Sequence, residues 1–478
     1  MSEKKSLIKN TSIYALGDII PRLLAFISLP ILTRYLSPSD YGIVNYVNSL
    51  NTFLLALGFL SINTYYLVFY YRCKDSEEQK KLLGNLSSFV LLLNAILVVI
   101  ILLFGKYIFS AFGSKIPFFP YIIIGVLSNF FNLFSILPAA LYRLLERPLP
   151  LTILRIIEGI ITLTLSLVLV IYFHYTALAV LYATLTVNFF YAFIFLYISR
   201  KHIIWNLNFK QIKVVLAFTL PLLPGSIAYY VTTISDRILI DKYLNLNDLG
   251  IYSTAATIAL VLNVFSFGAY KAFEPYIFKN WGSNDFKKIF ENIRNGFVYV
   301  LLIGVLCLSI FAKEFFQIMT NVKFHQAYWY VPMIIIGVYS SSLSLLYGTI
   351  ITAKGKTRIN SVVSITGATI SIVLNIVFLP KFGLITAALV SSLAMTVMLF
   401  ISIWYAELKI SHSRPFFSLL LIVLVIYIMV YLIPIEDIVY AIILKSTVSV
   451  FAVIGISLIL AINPLKILNS FKKKQLIQ

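Results

Sequence analysis

The chain has 478 residues, of which 60% are hydrophobic and 12% charged, and its mean hydropathy is +0.94. A soluble protein carries about 25% charged residues, so a water-soluble enzyme is excluded. The formal net charge of +20 would suit nucleic acid, but long apolar blocks separate the cations, and a nucleic-acid partner is excluded too.

Cys73 and Cys307 make no disulfide framework, and no Cys/His spacing suggests a metal site; neither a metal nor another cofactor is expected. The basic N-terminus leads into an apolar stretch that contains Asp18 and Arg22 and lacks a small-residue cleavage site, so it reads as a first membrane span, not a removed leader. A helix needs about 20 apolar residues to cross the hydrocarbon. On that measure fourteen spans are predicted: 11–36, 43–71, 82–104, 118–141, 149–173, 176–199, 214–240, 251–278, 295–317, 330–353, 360–379, 384–406, 415–433 and 438–461. The weakest break is His174-Tyr175, between spans five and six. The fold class is an all-α polytopic membrane protein.

Orientation follows from the cations. With the N-terminus inside, 26 of the 38 Lys and Arg fall on inner segments and six on outer ones. The positive-inside rule then places both termini in the cytoplasm, and the basic loops face an anionic leaflet.

A motif repeats. Tyr35-Leu36-Ser37-Pro38-Ser39-Asp40-Tyr41-Gly42-Ile43 returns as Tyr243-Leu244-Asn245-Leu246-Asn247-Asp248-Leu249-Gly250-Ile251, identical at five of nine positions with an offset of 208. Six spans separate the copies, so both enter the membrane from the same side, as in repeats related by an axis along the membrane normal. The expected organisation is an N-lobe (1–200, spans one to six), a cytoplasmic linker (201–213) suited to an interfacial helix, a C-lobe (214–410, spans seven to twelve), and a C-terminal hairpin with a basic tail (411–478).

No catalytic constellation emerges: the four His are scattered, no loop is long, and there is no Walker A motif. The informative residues are ionisable groups inside spans, each costing about 2.5–3.5 kcal/mol at mid-bilayer. Arg22 follows Asp18 by one turn in span one; Arg155 and Glu158 share a face in span five, Arg237 and Asp241 in span seven, and Lys271 and Glu274 in span eight. Each pair either neutralises itself locally or contributes to a polar cavity for an anionic cargo. Pro21 and Pro30 interrupt span one, and Pro221, Pro224 and Gly225 interrupt span seven; freed backbone groups are tolerated only against protein or a wet cavity. Asn63, Asn132, Asn188, Asn263 and Asn375 are candidates for sugar contacts, although interhelical hydrogen bonding is a commoner use.

The six-plus-six-plus-two layout, Leu32-Thr33-Arg34 leading into the first motif copy, and the stretch Asn375 to Ala388 resemble the polysaccharide transporter family. It includes the Wzx-type O-antigen and capsule repeat-unit flippases of the multidrug/oligosaccharidyl-lipid/polysaccharide exporter superfamily. The resemblance implies a cargo of polyprenyl-pyrophosphate-linked oligosaccharide, moved from the cytoplasmic to the outer leaflet of the bacterial inner membrane by alternating access. It places Arg22 where flippases of this superfamily carry a cavity arginine. It casts Arg155, Arg237 and Lys271, by their positions in spans, as further pyrophosphate contacts and the hairpin as a guide for the prenyl tail; the intramembrane carboxylates Asp18, Glu158, Asp241 and Glu274 are the candidate ion-coupling groups or charge partners. Membrane lipid, a polysaccharide polymerase and glycosyltransferases are the implied partners. The alternative in the same fold is a cation-coupled multidrug exporter, against which the cationic spans argue; a membrane polymerase or ligase would need a long outer loop, and a scaffold would leave the intramembrane charges idle.

Overall fold

The computed structural model describes residues 20, 23–24, 26–145, 148–408, 410–433 and 437–462, with the side chains of 148 and 272 aside. Among them there is helix, turn and coil but no strand. Backbone groups inside a bilayer must be satisfied within the segment, and helices do this without a partner. Among the described residues twelve helices are long and apolar enough to span: Ser76–Ala111, Phe118–Leu144, Leu149–Ile171, Ala177–Ser199, Phe209–Tyr243, Leu246–Asn280, Phe286–Ile310, Val331–Ala353, Thr357–Phe382, Leu384–Ala406, Ser413–Leu432 and Ile438–Ile459. They correspond to predicted spans three to fourteen. A bent pair, Pro38–Phe59 and Ile62–Arg72, makes a thirteenth and corresponds to span two. Span one is helical at 26–35, and Asp18, Pro21 and Arg22 lie outside the described residues.

The bend in span two is 50°. Leu60 and Ser61 adopt positive φ (47° and 57°), a conformation that stops a right-handed helix. Asn94 Nδ2 takes up the freed Gly58 carbonyl at 2.9 Å. Spans five and six are separate helices joined by a turn in which His174 has φ 54°. In span seven the Pro221/Pro224 interruption is a single 3-10 turn, Leu220–Leu222, between Phe209–Thr219 and Leu223–Tyr243.

The linker differs from its expected interfacial helix: residues 203–208 are non-helical. They form a strap across the start of span three, where Lys80 O accepts from Ile204 N at 3.2 Å and Asn85 Oδ1 from Asn208 N at 2.8 Å. Gly84 makes the approach feasible, since a Cβ there would lie 1.8 Å from Ile204 O. Adjacent β-branched residues, Ile203-Ile204, and two asparagines favour this over helix. Asn208 then caps the next helix, accepting from Lys210 N and Gln211 N.

By contact density the chain forms two compact units. One comprises 1–254 with 358–394, the other 255–357 with 395–478. The expected lobe boundary near 201–213 falls inside the first. That unit has an apolar core of Phe59, Tyr66, Leu83, Leu86, Leu133, Leu137 and Val215.

Candidate functional site

In the first unit, span seven carries Asp236, only 4% exposed. Four side-chain donors converge on its carboxylate. Tyr252 OH donates to Oδ2 at 2.7 Å and Ser391 Oγ at 2.5 Å; Asn375 Nδ2 donates to Oδ1 at 3.1 Å and Ser371 Oγ at 3.3 Å. Ser235 and Ser371 lie within 3.0 Å of each other through their hydroxyls, as do Tyr252 and Ser391 at 3.2 Å. The donors come from the start of span eight and from spans eleven and twelve, so one carboxylate gathers four helices. Arg237 follows; its Nη1 donates to Thr233 O at 2.8 Å, its guanidinium lies 5.9 Å from the Tyr252 ring centroid, and its Nε has no acceptor.

Asn375 is fully buried, and its Oδ1 has no donor. A carboxylate, three hydroxyls and an amide carbonyl are a set of hard oxygen donors of the kind that suits a small hard cation. The hydroxyls can rotate to present lone pairs when a cation arrives, and a proton on Asp236 could take its place. Among the described residues no group of three or more His, Cys, Asp or Glu is placed to hold a metal, so a single carboxylate supplies the charge.

The predicted site residues distribute as follows. Asp18 and Arg22 lie outside the described residues. Asn375 and Arg237 come together at Asp236. The local pair expected of Arg237 and Asp241 is not how either is held: Asp241 accepts instead from Ser114 Oγ at 2.6 Å and Lys115 N at 3.0 Å. Arg155 donates to Ser135 Oγ at 3.5 Å, and that hydroxyl bonds Asn132 O and Oδ1; Glu158 is half-buried one turn further on. Asn188 Nδ2 donates to Ser128 O and Oγ, an interhelical use. Asn63 is exposed and Asn263 half-buried. In the second unit Glu274 accepts from Tyr270 OH at 2.7 Å, itself an acceptor for Thr349 Oγ1, and Lys271 is half-buried one turn before it.

The sequence pattern points to Arg237 and Asp241 and not to Asp236, which immediately precedes Arg237. The signal was present: Ser235-Asp236-Arg237 puts three polar residues together inside the last third of span seven, and an isolated run of that kind needs partners elsewhere. Also missed was Arg294, 2% exposed in the second unit, which donates to Ser411 O at 2.8 Å and through Nε and Nη2 to Asn295 Oδ1. The buried pair Lys445–Glu314, at 2.6 Å, was missed as well.

A family profile described as "Polysaccharide biosynthesis protein" matches residues 7–281, more than half of the chain. The chain belongs to the polysaccharide biosynthesis protein family. A second profile, MatE, matches residues 221–377. Among curated relatives of this family member, the capsular polysaccharide biosynthesis protein CapF of Staphylococcus aureus is 24% identical over 408 residues, covering 84% of this chain and 98% of CapF. An uncharacterized membrane protein of Methanocaldococcus jannaschii, MJ1068, is 24% identical over 247 residues, covering 51% of this chain and 48% of its own. Among solved structures, the lipid II flippase MurJ in an inward closed conformation is similar with TM-score 0.74 at 15% identity, covering 97% of this chain and 99% of MurJ. A point mutant of the Vibrio cholerae MATE transporter VcmN gives 0.60 at 13%, with 84% and 96% covered. The fold of this polysaccharide biosynthesis protein is thus that of the MurJ and MATE transporters, and the chain is a multi-pass membrane protein.

Proposed function

We propose that this chain is a flippase, not an enzyme, that moves polyprenyl-pyrophosphate-linked oligosaccharide repeat units from the cytoplasmic to the outer leaflet by alternating access, drawing on a cation or proton at Asp236. Its two six-helix lobes would rock about a cavity whose cations, Arg22, Arg155, Arg237 and Lys271, meet the pyrophosphate, a concentrated anion suited to Arg and Lys donors. The cargo reading is supported by membership of a polysaccharide biosynthesis family and by likeness along nearly the whole chain to a lipid II flippase fold. The ion reading is carried by one observation: a buried carboxylate tied to four helices, with an orphan amide oxygen beside it. A group that holds four helices when ionised and releases them when its charge is met is suited to link ion occupancy to helix movement.

The proposed setting is a bacterial cytoplasmic membrane with both termini inside, consistent with the 26-to-six distribution of cations. Glycosyltransferases and a polymerase would act before and after translocation. The MatE match over 221–377 favours a second reading, a cation-coupled multidrug exporter.

The test is complementation of surface polysaccharide export in a flippase-deleted host, set beside drug susceptibility in a sensitised one. Arg155→Ala, Arg237→Ala and Lys271→Ala should lower export while the protein stays in the membrane, with no change in susceptibility. Full export in all three variants would reject the cationic-cavity reading, and lost drug resistance would favour the exporter.

A further inference from the structure

On the predicted outer side of the second unit, the chain after Phe286–Ile310 makes a short helix, Ala312–Met319, and a 3-10 stretch, Val322–Trp329, before span ten begins. The short helix has two faces: Ala312, Glu314 and Phe316 are buried, while Ile318 and, beyond it, Val322 are exposed. Exposed apolar groups at the end of a span suit the lipid interface. The end of span thirteen widens into a π-helical turn, Tyr427–Leu432. There the Tyr431 ring lies 5.1 Å from that of Trp329, which in turn lies 5.1 Å from Tyr328, and Tyr431 OH donates to Trp329 O at 2.7 Å. Tyr and Trp gather at this level of a membrane because their rings are apolar and their tips polar.

These three rings, with Lys313 and Lys445, line a cavity of about 100 Å³, several times what one water needs. Lys445 is the eighth residue of Ile438–Ile459, so its backbone lies roughly 10 Å along span fourteen from the outer end. Its ammonium meets Glu314 Oε1 at 2.6 Å. The pair cancels its own charge but not its hydrogen-bonding capacity. An ammonium has three donors, of which Glu314 takes one, and Glu314 Oε2 is buried with no donor at all. An unmet buried carboxylate oxygen is costly, and neutralisation alone needs no cavity beside the pair.

We propose that this cavity receives the headgroup of an outer-leaflet phospholipid that carries a primary ammonium beside its phosphodiester, of the phosphatidylethanolamine class. The headgroup's charge order complements the protein's own pair: the phosphodiester accepts from Lys445 and Lys313, and the ammonium donates to Glu314 Oε2. Tyr328, Trp329 and Tyr431 supply aromatic rings, whose faces attract a cation. Ile318 and Val322, exposed on the same connection, suit contact with acyl chains. A choline headgroup has the cation but no N–H for Glu314, and an inorganic phosphate has neither. A lipid held here ties the connection between spans nine and ten to the C-terminal hairpin. The site stands or falls independently of the cargo.

Delipidated full-length protein in detergent is titrated with phosphatidylethanolamine, its N-methyl form and phosphatidylcholine of the same acyl chains, and bound lipid is counted by native mass spectrometry. Phosphatidylethanolamine should bind roughly tenfold more tightly than phosphatidylcholine, the difference that one charge-assisted hydrogen bond makes. The N-methyl form, which keeps N–H donors, should stay close to the parent. Trp329→Ala should weaken binding of all three. Glu314→Gln combined with Lys445→Met, which removes both ends of the buried pair together, should erase the preference. Equal affinity for the lipids, unchanged binding in Trp329→Ala, or a preference that survives the double variant would overturn the proposal. Displacement of the lipid by inorganic phosphate or by a soluble oligosaccharide would overturn it too, assigning the cavity to a free anion or to a glycan. Should the double variant fail to fold, the methylation series on the wild-type protein and on Trp329→Ala decides alone.

Discussion

Asn375 donates its amide to Asp236 Oδ1 at 3.1 Å while its own carbonyl oxygen, wholly buried, receives no donor. That leaves a buried, unmet acceptor at a point next to Asp236. If that point binds a cation, affinity rests chiefly on the formal charge of Asp236. Asp236→Asn should remove sodium- or proton-dependent export and any cation-induced rise in unfolding temperature. Asn375→Ala should weaken cation affinity without abolishing it. Unfolding curves of purified protein with sodium, potassium or neither, read beside export, check both. A cation-dependent stabilisation that survives in Asp236→Asn would move the coupling site elsewhere.

Lys445, eight residues into the last helix, pairs with Glu314 at 2.6 Å, and both side chains are almost wholly enclosed. Breaking such a pair from one side strands a buried charge at a cost of about 3–5 kcal/mol, whereas removing both ends together is often nearly neutral. Glu314→Gln and Lys445→Met should each lower the denaturation midpoint sharply, and the double variant should recover most of the loss. A double variant as unstable as the sum of the singles would mean that the two groups do not depend on each other.

His412 lies in the connection before the thirteenth span, its ring 5.8 Å from that of Tyr347, beside Arg294 and Glu291. Burial, then the Arg294 cation, push its pKa below the ordinary histidine value; the Ile410 backbone and Glu291 oppose this. A depressed value means that the fold prefers neutral His412. The stabilisation is fully present above about pH 6.5 and is lost as pH falls through the lower folded value. Unfolding temperature should drop between pH 7 and pH 5, and His412→Gln should flatten that part of the profile. An unchanged slope in the variant would assign the acid sensitivity to other groups.

Much of the architecture was legible in advance because membrane spans are written locally. A run of about 20 apolar residues needs nothing distant to make it a helix, so spans three to fourteen and the turn at His174 follow from composition alone. The linker was misjudged for a tertiary reason: its backbone is satisfied by Lys80 and Asn85, more than 100 residues earlier. Spacing at i,i+4 suggested that Arg237 would serve Asp241, yet the nearest good donors for Asp241 are Ser114 and Lys115, on a different span connection.

The sequence by itself determined that the chain is a bundle of membrane helices with few charges inside its spans, and that one turn motif occurs twice. Those properties depend on hydrophobicity, charge and near-neighbour hydrogen bonding. Only the tertiary structure decided that Asp236, not its charged neighbours, is the carboxylate around which four helices close, and that Lys445 meets Glu314. Both depend on which helix faces which, and that is settled by packing between segments far apart in the chain.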